Sequence, residues 1–241
     1  MANNSDPKAL DRLVEDLRAA HGDNLASIVL YGSVAAGDQV DRRSDHNLVV
    51  VLQRVSARDL HVSQKVMRDW LKRGEPMPVY LSAEELERSA DVFPIEFLQM
   101  EKARKVLFGP DPFELVEISP ANLRHQTEYE LRTKLIRLRR LYVPASDSVE
   151  KLLALMTDSV SSFAALFRAV LILRGQEPPV SKAESVRATM RLLNLDDSPF
   201  EKVLELRKRT SAVMTEAEAN DLFSDYLMQI ERVIQAVDRF E

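Results

Sequence analysis

Leu10, Leu13, Val14 and Leu17 recur at helical spacing behind Asp6-Pro7, and this pattern predicts an amphipathic helix closing near His21-Gly22. Asp6 suits a cap and Pro7 a first turn. Two short apolar runs follow, Leu25 to Tyr31 and the valine-rich Leu48 to Leu52, each of strand length with a polar loop between them. Helical spacing returns over Ser56 to Arg73 (Leu60, Val66, Met67, Trp70, Leu71) and stops at Gly74. Met77 to Leu81 predicts a third, short strand, in which Pro78 suits an edge position. Ser82, with Glu85 three residues on, predicts a capped helix. Phe93-Pro94-Ile95-Glu96-Phe97 breaks or restarts helix, and Lys105 to Phe108 predicts a last strand before Gly109-Pro110.

Beyond Asp111-Pro112 the strand pattern ends. Ala121 to Tyr142, Val149 to Leu173, Lys182 to Leu193, Phe200 to Arg209 and Glu216 to Phe240 all read as helices, punctuated by Pro144, Gly175 and Pro178-Pro179. The expected class is therefore α/β (α+β): a mixed sheet with flanking helices over 1–115, then an all-helical bundle over 116–241. The change of character falls between 112 and 120.

Composition narrows the chemistry. The 241 residues carry 33 basic and 38 acidic side chains, a net charge of -5, which argues against broad nonspecific nucleic-acid binding. No aromatic-rich basic strip points to nucleic acid either. The absence of cysteine excludes disulfides, thiolate catalysis and cysteine-ligated zinc. The first residues show no secretory pattern, and no uninterrupted apolar run approaches the roughly 20 residues of a membrane span. The expectation is a soluble cytoplasmic protein without membrane partners.

The junction between the first two strands carries the candidate chemistry. Gly32-Ser33 ends the first apolar run. A phosphate needs backbone N–H groups aimed at it, and a strand–turn–helix junction supplies them. Gly32 allows close approach, the Ser33 hydroxyl adds a hydrogen bond, and Val34-Ala35-Ala36 are compatible with a short helix. The alternative is an ordinary turn. Ser44-Asp45-His46-Asn47 opens the second run, and strand alternation directs Asp45 and Asn47 to one face with His46 on the other. For Asp45 the alternative is a strand cap, or a surface ion pair with Arg42 or Arg43.

Tyr31-Gly32-Ser33, the gap that follows and Ser44-Asp45 together resemble the nucleotidyltransferase superfamily, whose fold is similar to the palm of DNA polymerase β. The resemblance implies a nucleoside triphosphate partner, phosphate binding at Gly32 and Ser33, and metal ligation and catalysis at Asp45 and the position of Asn47. Mg²⁺ would be the cofactor. In the family that second position is an acid. An amide oxygen can ligate Mg²⁺ but brings no charge to a hard cation, so the resemblance implies weak metal binding here. The family's third carboxylate lies on the third core strand, and Pro76 to Leu81 contains no acid. Glu75, Glu84 and Glu96 lie nearby and read as solvated helix or loop residues. Ala35-Ala36 also stand where the family often has a basic residue. The expectations are thus nucleotidyl transfer to an unidentified hydroxyl acceptor with impaired catalysis, or a noncatalytic nucleotide-binding or regulatory module paired with a protein partner or a second copy.

The helical half looks like the bundles that follow minimal and aminoglycoside-type nucleotidyltransferase domains. Arg124-His125 are adjacent and lack the Arg–His spacing of the HEPN ribonucleases. Arg132, Lys134, Arg137, Arg139 and Arg140 read as a solvated helix face supported by Glu128 and Glu130, or else as contacts to triphosphate or RNA. Arg168 and Arg174 sit on an otherwise apolar helix and call for an anionic partner; Arg168 is the candidate for nucleotide binding.

Overall fold

In the computed structural model, residues 7–32, 34–35, 45–114, 116–179, 181–208 and 214–240 are described. The chain divides into two compact units, Met1–Ser119 and Pro120–Glu241.

The first unit is built on a mixed four-stranded sheet of order β3-β2-β1-β4. Its strands are β1 (Leu25–Tyr31), β2 (Asn47–Leu52), β3 (Val79–Ser82) and β4 (Arg104–Phe108). β1 pairs antiparallel with β2 and β4, and β2 pairs parallel with β3. β3 lies at an edge, as Pro78 just before it predicts. The period-two alternation of β1 and β2 divides the core into two faces. Ile28, Leu30, Leu48, Val50 and Leu52 pack on Leu13 and Leu17 of α1 (Pro7–His21) and on Met67 and Trp70 of α2 (Ala57–Lys72). Val29, Val49 and Val51 pack on Leu86 of α3 (Ala83–Arg88), on Phe97 and Met100 of α4 (Pro94–Lys102), and on Phe113.

Local chemistry explains where the elements start and turn. Ser56 and Asp59 form a reciprocal capping box on α2, and Ser82 and Glu85 form the one expected on α3. Phe93-Pro94 starts a new helix, with Pro94 in the first turn of α4. Asp6 lies outside the described residues. After β4 the chain turns at Gly109, whose φ is +76° and whose added Cβ would sit 2.1 Å from the Ala26 carbonyl oxygen. The Ser27 hydroxyl, within 2.9 Å of the Phe108 carbonyl and 2.8 Å of that of Pro110, holds the same turn against β1. Where α1 meets α2, the buried His21 bonds through Nε2 to the Ser63 hydroxyl at 2.7 Å. Its Nδ1 is buried and unpartnered among the described residues.

The second unit is helical: α5 (Pro120–Tyr142), α6 (Val149–Leu173), α7 (Lys182–Leu192), α8 (Ser198–Lys208) and α9 (Glu216–Asp238). α6 is its hub and packs on the other four. Phe163, Phe167, Phe200 and Tyr226 form an edge-to-face aromatic chain at its centre. The Tyr226 hydroxyl lies 3.0 Å from that of Ser159, and burial raises its phenol well above the ordinary range. Among the described residues, α6 is the one helix long and apolar enough by length and composition to cross a membrane, although half of its apolar window is buried inside the bundle. The absence of a 20-residue uninterrupted run is thus compatible with a helix that passes a compositional test, because scattered serines and threonines do not outweigh its leucines and valines.

Candidate functional site

β1 and β2 end their ladder at Tyr31 opposite Asn47, and the candidate site is the strand ends at that pair, with Gly32 on one side and Asp45 on the other. Gly32 leaves the strand with φ +86°, a conformation in the left-handed region that favours glycine. Its N–H donates to the Ala103 carbonyl at 2.9 Å, which ties the turn to the start of β4. A Cβ on Gly32 would lie 3.4 Å from the Asn47 amide nitrogen, so the two residues are in immediate contact. Val34 and Ala35 form a turn and pack on the α1–α2 face of the sheet. That turn stands where a short helix over Val34-Ala35-Ala36 was expected; Ser33, Ala36, Arg42 and Arg43 lie outside the described residues.

Asp45 is exposed and Asn47 half-buried. Asn47 shares the face of Val49 and Val51, whereas His46 sits edge-on to Trp70, with ring centroids 6.0 Å apart. His46 therefore points towards α2. Across the ladder, Tyr31 is level with both Asn47 and Arg104. Burial raises the Tyr31 phenol above its ordinary value. Arg104 is already engaged: Nε donates to Asp111 at 2.8 Å and Nη1 to the Glu101 carbonyl at 2.5 Å. It also lies over the Phe113 ring, 5.9 Å from the centroid.

β3 runs parallel to β2 with Val79 level with Val49. Continuing that register outward sets Met77 level with Asn47. Met77 is 54% exposed and Val79 37% exposed, so apolar side chains occupy the end of β3 nearest the candidate site. Glu84 is exposed and pairs with Arg88 at 2.9 Å, and Glu96 is exposed on α4.

Glu75 departs from the expectation of a solvated residue. Its side chain is 5% exposed, and its two oxygens take the His46 backbone N–H at 2.9 Å and the His46 Nδ1 at 2.8 Å. A carboxylate only accepts, so the bridging hydrogen lies on Nδ1. Sequence reasoning missed this pair because its partners are 29 positions apart. The available signal was a histidine opening an otherwise apolar strand.

In the helical unit Arg168 donates through Nη1 to the Pro179 carbonyl on the segment leading to α7. Arg174 lies over the Phe240 ring at 5.0 Å, so an aromatic face stands where an anion was expected. On α5, Arg132 pairs with Glu128 at 2.7 Å and Lys134 with Glu130 at 3.8 Å, which matches the solvated-face expectation. Arg139 reaches Glu231 of α9 at 2.6 Å. Lys134 and Arg137 also border a cavity of about 330 Å³ between α5 and α6, opposite Asp158, Ser159 and Ser162.

A divalent ion would have the Asp45 carboxylate and the Asn47 amide oxygen as donors. Among the described residues no group of three or more His, Asp or Glu side chains could hold a metal. One carboxylate and one amide do not make the two-carboxylate centre that a hard cation prefers.

The mixed sheet with flanking helices, followed by a helical unit, is the nucleotidyltransferase fold. In particular, the chain is similar to the crystal structure of spectinomycin adenyltransferase AAD(9) from Enterococcus faecialis with ATP and spectinomycin. The TM-score is 0.59 at 14% identity, over 95% of this chain and 99% of that one. At that identity the likeness shows the fold. The sequence matches no protein-family model and no curated protein.

Proposed function

We propose that this chain is a nucleotidyltransferase-like protein that binds a nucleoside triphosphate at the Gly32–Asn47 junction and is impaired in nucleotidyl transfer. One observation carries this reading: an amide at Asn47, in contact with the Gly32 turn, and apolar Met77 and Val79 beyond it, on the face where transfer chemistry needs acids. Gly32 and Ser33 receive the phosphates, and Asp45 and Asn47 face the developing charge. A hydroxyl acceptor attacking the α-phosphorus would displace pyrophosphate, and β3 offers no carboxylate to take its proton. Asp45 and Asn47 bind Mg²⁺ weakly at best, since a hard cation gains charge from only one of them. The likeness to an adenyltransferase solved with ATP supports ATP as the first nucleotide to test.

The test is isothermal titration of the four ribonucleoside triphosphates, with and without Mg²⁺ or Mn²⁺, into wild type and Asp45→Ala. Binding by wild type that Asp45→Ala weakens supports the assignment; no binding under any condition refutes it. Pyrophosphate release then separates impaired transfer from a noncatalytic module. Reproducible turnover abolished by Asp45→Ala excludes the noncatalytic alternative, in which the same fold serves a protein partner or a second copy of the chain.

A further inference from the structure

Among the described residues, the sheet offers residue 46 no backbone partner. The β1–β2 ladder ends at Tyr31–Asn47, and Gly32 turns away to bond Ala103. On the other side, parallel pairing with β3 begins at Val49–Val79. The Pro76 carbonyl, nearest in register to residue 46, is taken by the Trp70 indole N–H at 2.9 Å. Without Glu75 the His46 N–H would therefore be a part-buried donor with no partner among the described residues, at a cost of up to a lost hydrogen bond. Glu75 fills the gap with one oxygen and holds the imidazole with the other. Trp70 completes the support, since its indole ties down the turn that carries Glu75 and its ring packs T-shaped with His46.

We infer that the buried Glu75 carboxylate is a positioning residue for the nucleotide site, acting through His46 to fix the strand start between Asp45 and Asn47. The inference rests on the nucleotide-binding reading given above. Strand geometry supplies the coupling. A side chain pinned towards α2 at position 46 forces its neighbour at 47 onto the opposite face, against Gly32. Glu75 touches no phosphate; it sets where Asn47 and Asp45 stand. The two bonds to one carboxylate, one from backbone and one from side chain, fix both the position of residue 46 and the rotation of the strand about its own axis. That rotation decides whether Asn47 meets the Gly32 turn. An apolar strand start would leave it free.

The test compares ATP affinity and amide hydrogen exchange in wild type, Glu75→Ala and Glu75→Gln. Gln retains both contacts, because its oxygen accepts the backbone N–H and its amide donates to Nδ1 once the imidazole hydrogen moves to Nε2. Val203→Ala, a buried substitution on α8, controls for general loss of stability. ATP affinity is expected to fall by about tenfold in Glu75→Ala and to stay within about threefold of wild type in Glu75→Gln and Val203→Ala, all measured while fully folded. Glu75→Ala binding ATP as wild type does would overturn the inference. If wild type itself binds no ATP, it is the nucleotide reading that fails, and exchange decides the positioning role alone. Faster exchange at Asn47 and Leu48 in Glu75→Ala, with β4 unchanged, upholds it; unchanged exchange there overturns it.

Discussion

Asn47→Asp adds a second carboxylate to the candidate site, and the geometry fixes the sign of two opposed effects. Positions 45 and 47 are two residues apart at the start of β2, so their Cα atoms are about 6.5 Å apart. Asp45 is exposed and Asn47 half-buried, which places the new carboxylate pair in a largely aqueous dielectric. At an effective dielectric constant of about 40–80 and about 6.5 Å, the repulsion is about 0.6–1.3 kcal/mol. Without a divalent ion the variant should therefore be less stable than wild type by about 1 kcal/mol, or about 4 °C in melting temperature for a unit of this size. Mg²⁺ reverses the order. A dissociation constant of about 1 mM gives about 1.4 kcal/mol of stabilisation at about 10 mM ion. Wild type, with one carboxylate, should respond far less. The assay is thermal and urea unfolding of both proteins in EDTA, in Mg²⁺, and in NaCl at matched ionic strength to remove general screening. An equal Mg²⁺ response in the two proteins, or no loss of stability in EDTA, refutes the shared orientation of positions 45 and 47.

Two further outcomes follow from the first unit. Gly109→Ala forces a Cβ to within 2.1 Å of the Ala26 carbonyl at a φ of +76°. It should destabilise by about 2–4 kcal/mol by urea titration, and a loss below about 0.5 kcal/mol would contradict the β1–β4 turn. Burial holds the His21 imidazole below its ordinary value, against the weaker opposing pull of Asp59. The unfolded chain then binds the proton first, so the His21 contribution to stability is constant above about pH 6.5 and falls by up to about 1.4 kcal/mol per pH unit as pH drops below it, until His21 itself protonates in the folded chain. His21→Gln should flatten that part of the stability–pH curve; an unchanged slope would mean that another group carries it.

Much of this fold was legible because its signals are local. β1 and β2 announce themselves as apolar runs, Ser82 and Glu85 cap α3 as written, and the helices of the second unit follow their punctuation. What could not be read were contacts between distant positions. Nothing near Arg104 says that β4 lies beside β1 rather than at the far side of β3. Glu75 looks like any acid in a polar turn until His46 is brought to it, and the ring that receives Arg174 belongs to Phe240, 66 positions on. The candidate site divides the same way. Gly32, Asp45 and Asn47 were visible as a motif, whereas the Gly32–Asn47 contact and the peg behind His46 depend on three-dimensional closure. Register also sharpened an absence: Val79 of β3 stands level with Val49 of β2, and Met77, two residues before β3, falls level with Asn47.

The central place of α6 has a consequence for how the chain must be made. Three of the four helices that cover it, α7, α8 and α9, lie after it in the chain. As the polypeptide leaves the ribosome, an apolar segment of 25 residues emerges with only α5 available to shelter it. The roughly 65 residues from Leu173 to Asp238 take about 3–13 s to synthesise. For that interval the nascent chain presents the kind of surface that chaperones and membrane-insertion machinery recognise. A stop codon or frameshift before α7 would make that exposure permanent and turn a folded helix into a signal for aggregation or degradation.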